Sequence, residues 1–168
     1  MPATPSLTTI RDAIVSAIKS AMNSGTPGNV LTVHSYRRFW RDAQKFNSLF
    51  LRLAPDLLPG KINGWYVTRL ATREVESPEW FRFYQVHRWQ LDGFFGIQDD
   101  DATATEKVFQ DQIEAIRDNL RLNATVFQST EYSNPVTQVQ TIEPITIGDS
   151  TVWHGVLVAE AEAVENKF

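Results

Sequence analysis

A chain of 168 residues without a single cysteine excludes disulfides, thiolate zinc sites, iron–sulfur clusters and cysteine nucleophiles. Its apolar fraction of 42% is enough to bury one sizeable core, and a net charge of −4 gives no bulk drive toward nucleic acid or an anionic membrane. No apolar run approaches the roughly 18–20 residues that span a bilayer. The start Met1-Pro2-Ala3-Thr4-Pro5 has neither the basic flank nor the apolar stretch of a signal peptide, so the expectation is a soluble intracellular product.

The charge is unevenly placed. From His34 to Arg88 there are ten Lys/Arg against five Asp/Glu, and from Trp89 to Phe168 four against fourteen. A basic middle and an acidic end suit head-to-tail association, although unequal solvated surface produces the same pattern.

In chain order, Leu7 to Met22 reads as a helix, because Leu7, Ile10, Ile14, Ala17, Ile18 and Ala21 recur every three or four residues. Ser6 or Thr8 can cap its start, and Gly25 can end it. Asn29 to His34 reads as a short strand. Tyr36 to Leu53 reads as a basic amphipathic helix, with Phe39, Ala43, Phe46, Phe50 and Leu53 on its stripe and Arg37, Arg38, Arg41, Lys45 and Arg52 beside it. A membrane-surface helix has the same pattern, but packing on a sheet is the commoner reason for it. Pro55 to Gly64 is a loop.

Two long strands follow, Trp65 to Val75 and Trp80 to Leu91, with a turn at Glu76-Ser77-Pro78-Glu79. Strict alternation puts Trp65, Val67, Ala71 and Val75 on one face of the first and Tyr66, Thr68, Leu70 and Thr72 on the other. Neither strand has a purely polar face, so the sheet is expected to be covered on both sides. Gly93-Phe94-Phe95-Gly96 should close this segment, and a helix is expected over Thr103 to Asn123, with Thr103 and Glu106 at capping-box spacing. Strands near Val136 to Ile142 and Ser150 to Ala163 are joined through Pro144 and the Gly148-Asp149 turn. The whole is one α+β domain over residues 1–168, a mostly antiparallel sheet with a long hairpin, packed by two to three helices on one side, with loose ends at 1–5 and 165–168.

The residues offer no recognisable catalytic centre, and no enzyme activity, cofactor or metal is expected. His34, His87 and His154 sit in or beside strands without a second histidine or a carboxylate at ligand spacing. Asp99-Asp100-Asp101, with Asp92 nearby, lack the alternating loop and distal Glu of a calcium site, and acids ahead of a helix suit its dipole. There is no G-x-S-x-G elbow and no glycine-rich loop opening a helix. Glu74, Glu76 and Glu79 cluster at a hairpin tip rather than across a cleft. Arg69, Arg73, Arg82 and Arg88 interleave with Trp65, Tyr66, Phe83 and Tyr84. That mixture suits a single-strand nucleic-acid platform, but the RRM aromatic motif is missing and the chain is acidic, so contacts at a protein interface fit better.

Several features resemble the tail-terminator (tail-completion) proteins of long-tailed bacteriophages. They are the amphipathic N-terminal helix with Thr9-Ile10-Arg11-Asp12-Ala13-Ile14, and the long hairpin Trp65 to Leu91 with Tyr84-Gln85-Val86-His87-Arg88-Trp89. They continue with a helix carrying Phe109-Gln110-Asp111-Gln112-Ile113-Glu114-Ala115-Ile116 before Leu120, and a closing strand pair ending in Trp153-His154-Gly155-Val156-Leu157-Val158-Ala159-Glu160. The helix over Tyr36 to Leu53 is additional to that order. The resemblance implies a structural virion protein of the tail and neck, assembled in the host cytoplasm. It implies a homohexameric ring that caps the tail tube, ends polymerisation and offers a surface to the head and neck connector. Partners would be the tube protein, the connector and other copies, with no membrane or specific nucleic acid, and Arg69, Arg73, Arg82 and Arg88 would lie near those contacts. The alternatives are another head–tail joining protein (neck or head closure), or a stand-alone ligand- or nucleic-acid-binding domain.

Overall fold

The described residues form, in chain order, α1 (Leu7–Asn23), β1 (Thr32–His34), α2 (Ala43–Phe50), β2 (Asn63–Glu76), β3 (Arg82–Gly96), α3 (Thr105–Leu122), β4 (Val136–Ile147) and β5 (Ser150–Asn166). The computed structural model describes residues 7–23, 32–50, 62–76, 82–97, 105–122 and 136–166. The expected turn over 77–79, the polar stretch 125–135, the aspartates 99–101 and the capping Thr103 lie outside the described residues.

The strands form one sheet in the order β1-β2-β3-β5-β4. β1 runs parallel to β2, and every other pairing is antiparallel. Two hairpins, β2–β3 and β4–β5, are thus laid side by side through the β3–β5 ladder. The β4–β5 turn needs a left-handed backbone, and Gly148 supplies it with φ of 60°.

One face of the sheet receives α1 and α3. The period of 3.6 brings Ile10, Ile14 and Ile18 of α1 and Phe109, Ile113, Ile116 and Leu120 of α3 onto Trp65, Val67, Trp89, Leu91 and Leu157, all fully buried. The two helices are also tied directly, Asn119 Nδ2 donating to the Ala17 carbonyl at 2.6 Å. The Trp65 ring lies flat across β3 because its partner there is Gly93, where a Cβ would stand 2.5 Å from the indole.

The opposite face receives α2 at one end. Phe46, Leu49 and Phe50 pack on Ile62, Tyr66, Phe94 and Val152, with Trp40 joining the cluster. The helix is shorter than the Tyr36–Leu53 span the periodicity predicts. Asp42 Oδ1 accepts the Lys45 amide at 2.8 Å, an N-cap that starts the helix at Ala43. Arg37, Arg38, Phe39, Trp40 and Arg41 therefore lie on irregular chain, and the predicted stripe member Phe39 is 79% exposed.

The sheet departs from strict alternation at two bulges. In β2, Arg69 pairs with Trp89 and Ala71 with Arg88, leaving Leu70 as an extra residue. In β4 the shift falls between Val139 and Thr141. The first bulge overturns the expected faces of β2. Beyond it Thr72 joins the side of Trp65 and Val67, opposite His87, while Ala71, Arg73 and Val75 join the side of Tyr66. Gly93 to Gly96 do not close the sheet but continue β3, with the Gly96 amide donating to the Ile62 carbonyl at 2.8 Å. Pro144 lies inside β4 rather than between strands, tolerated because β4 is an edge. At the far end, Glu165 and Asn166 pair with Phe83 and Arg82.

Candidate functional site

The four predicted arginines share a hairpin but not a face. Arg73 and Arg88 lie on the α2 side of the sheet, Arg69 opposes Trp89 before the bulge, and Arg82 opens β3 opposite Asn166. Arg69, Arg73 and Arg88 are exposed. Arg88 Nε stands 3.9 Å from Glu160 on β5, a half-exposed pair of small energetic value. Around them the whole run from Arg69 to Val75 is exposed, including Leu70 at 48% and Val75 at 40%.

The structure brings together a second group that spacing along the chain conceals. Tyr66 opposes Asp92, and Phe94 opposes His154, so Tyr66, Asp92 and His154 occupy neighbouring positions on the α2 face. Asp92 is buried, its side chain 4% exposed, and it is fully engaged. Gln90 Nε2 donates to its two oxygens at 3.1 and 2.9 Å, and His154 Nε2 lies 3.1 Å from Oδ1. The Tyr66 hydroxyl donates to Asp92 and accepts from Arg37. A carboxylate can be held in such a place only if its lone pairs are met, and here three side chains meet them. The expectation that His154 lacks a carboxylate is thus corrected: Asp92 is distant in sequence, but cross-strand pairing makes it a neighbour.

Electrostatics follow from this arrangement. Burial, and then the adjacent Asp92, push the Tyr66 phenol up to about 12, with Arg37 pulling weakly the other way. The phenol is therefore a fixed donor at neutral pH. The His154 ring stacks on Phe94 with centroids 4.9 Å apart, joining the polar group to the aromatic cluster. What this group does chemically is hold: it fastens irregular chain from the β1–α2 connection to the sheet through Arg37.

The remaining histidines are structural neighbours of the same kind. His34 Nε2 bonds the Leu49 carbonyl at 2.9 Å, and its pKa is lowered, chiefly by burial, with the carbonyl opposing and Arg38 adding. His87 Nδ1 bonds Thr72 Oγ1 at 2.9 Å on the helix-covered face, and burial followed by the charge of Arg69 lowers its pKa. Among the described residues no three His, Asp or Glu side chains converge as metal ligands, and no helix is long and apolar enough to cross a membrane.

No protein-family model matches the chain, and no curated protein matches it.

Proposed function

We propose that this chain is a structural subunit of a bacteriophage tail, a terminator that caps the tail tube as a hexameric ring, ends tube polymerisation and offers the joining surface to the head and neck. The observation that carries the reading is the half-covered sheet. α1 and α3 bury one face around Trp65 and Trp89, and among the described residues α2 packs on the other around Tyr66 and Phe94. Beyond that end, Arg69 to Val75 of the long hairpin stand exposed, two sizeable apolar side chains among three charged ones. Mixed apolar and arginine surface on a strand ladder suits association between protein surfaces. The element order adds support, since α1, the β2–β3 hairpin, α3 and the β4–β5 pair follow the order that the resemblance implies.

In this reading the mechanism is binding, with no chemical step and no cofactor. Arg69, Arg73, Arg82 and Arg88 stand at or near the contacts with neighbouring copies or the tube, and the protein ends up in the virion. The test is electron microscopy of purified tail tubes incubated with the protein. The expected result is a ring of density at one tube end and arrested elongation on adding tube subunits. Bare ends and continued elongation overturn the proposal.

A further inference from the structure

The sheet has an open edge on each side. β1 pairs with β2 only from Gly64 to Tyr66, so residues 67–76 of β2 have no second strand beside them among the described residues. On the other side β4 pairs with β5 alone. Side chains along both edges face solvent: 69–75 of β2 are exposed, as are Gln138, Gln140, Glu143, Pro144 and Thr146 of β4. An open edge offers unpaired backbone donors and acceptors, and proteins commonly blunt it with charge or proline. β4 does so only from Glu143 and Pro144 onward. Residues 136–142 ahead of them carry no charged side chain and, apart from one bulge, keep regular pairing.

The two edges fit each other in direction and height. Three successive antiparallel pairings make β4 run opposite to β2. A second copy set beside the first in the same orientation therefore brings its β4 antiparallel to the open run of β2. Val136 stands level with Ala71 across the sheet, through Glu160 and Arg88, and Val139 stands level with Val67, through Leu157 and Leu91. Glu143 stands level with Gly64, where β1 already occupies the edge. Charge selects the same arrangement. The β4–β5 hairpin, residues 136–166, holds five acidic side chains and no Lys or Arg. At the other edge, Arg73 lies on the α2 face of β2. Residues 36–45 add four basic side chains against one acidic, and Arg37 ties them to Tyr66 of β2. Two β4 edges brought together would set acidic hairpins side by side, a like-charge contact that disfavours the symmetric alternative. The two edges of one copy lie on opposite sides of its sheet, so they join only between copies, head to tail.

We infer that residues 136–142 of β4 add as a strand to the open run of β2 in a second copy of this chain, continuing the sheet from copy to copy. This deepens the ring reading and rests on it only for closure into a ring. The chain has no cysteine, so single substitutions report the contact cleanly. Gln138→Cys is oxidised together with Thr68→Cys, Ala71→Cys or Arg73→Cys, three positions on the α2 face of β2, and each variant is also oxidised alone. A disulfide-linked dimer is expected in at least one mixture and from no variant alone. No link in any mixture, or a linked dimer of Gln138→Cys alone, overturns the inference. Sedimentation velocity at about 50 mM salt gives a second readout. Gln138→Lys/Gln140→Lys should associate about tenfold or more weaker than wild type, with an unchanged melting temperature because both side chains are exposed. Gln138→Glu/Gln140→Glu should lose less. A wild type that stays monomeric, or a loss in the Glu variant equal to or above that in the Lys variant, also overturns the inference. Tube capping by Gln138→Lys/Gln140→Lys at wild-type level would sink the strand contact and leave the terminator reading standing, whereas bare tubes with intact cross-linking would do the reverse.

Discussion

Removing the Asp92 carboxylate should expose how much the polar group on the α2 face contributes. Asp92→Ala leaves three donors without their acceptor: the Gln90 amide, His154 Nε2 and the Tyr66 hydroxyl. Gln90 is half-buried and His154 is 19% exposed, so both can turn toward water. Tyr66 is buried, and Arg37 bonds its oxygen rather than its proton, so the phenol bears the full penalty of an unmade bond. An orphaned buried donor costs about 1–3 kcal/mol, and a hydrogen bond to a charged group contributes about 1.5–3 kcal/mol. With two of three donors able to rehydrate, the expected loss is about 3 kcal/mol. Urea denaturation measures it, and the m-value should stay at the parent's value if only the native state is affected. Asp92→Asn keeps the shape and one acceptor, so it should lose less, while the Tyr66 phenol titrates below about 12 because the negative charge beside it is gone. A loss under about 0.5 kcal/mol in Asp92→Ala, or an unmoved tyrosinate titration in Asp92→Asn, would refute the account.

Gly93→Ala should cost about 1–3 kcal/mol or slightly more, because its Cβ falls 2.5 Å from a fully buried indole that must then move; thermal denaturation reads it. Deleting Leu70 alone removes the β2 bulge but keeps Ala71 opposite Arg88 and Thr72 opposite His87, so stability should change by about 1 kcal/mol or less, whereas deleting Leu70 and Ala71 together turns Arg73 and Val75 toward the helix-covered side and breaks the Thr72–His87 bond, for an expected loss of about 2 kcal/mol or more. Equal effects of the two deletions would show that the register past Arg69 is not what sets the faces. His34 and His87 both have folded pKa values below the ordinary 6.5. The unfolded chain therefore takes up protons first, so the stability these residues contribute is full above that value and falls as pH drops through it toward their lowered folded values. Melting temperature should decline from about pH 7 to about pH 5, less steeply in His87→Gln; an identical slope in the variant would remove His87 from the explanation.

The periodic signals in the sequence located the elements well and their faces less well. Ile10, Ile14 and Ile18, and Phe109, Ile113, Ile116 and Leu120, repeat at helical spacing, and each set lies buried on one side of its helix. The hairpin faces were misread after Leu70, because a bulge is a single unpaired residue and nothing in an aromatic, β-branched run marks it. The helix over Tyr36 to Leu53 was overextended because Phe39 has the right spacing, and the decisive residue was Asp42, whose carboxylate competes for a backbone amide. Phe39 is spaced for burial and faces water. The Asp92–His154–Tyr66 group could not be read from spacing, since its members come from three strands and meet only through register. A hint was available in Asp92 itself, an acid embedded in the apolar run Trp89 to Phe95.

The uneven covering of the sheet also shapes how the protein opens. At Trp65, Tyr66 and Val67 the β2 backbone is sandwiched between helices on both faces, so its amides should exchange with solvent hydrogen only when the whole molecule unfolds. Toward Val75 the same strand has exposed side chains along its run, and its amides can be released by local fraying at far lower free energy. One continuous strand thus joins a slow, globally protected half to a fast, locally yielding half. The yielding half can adjust its shape to whatever it meets while the sandwiched half stays folded.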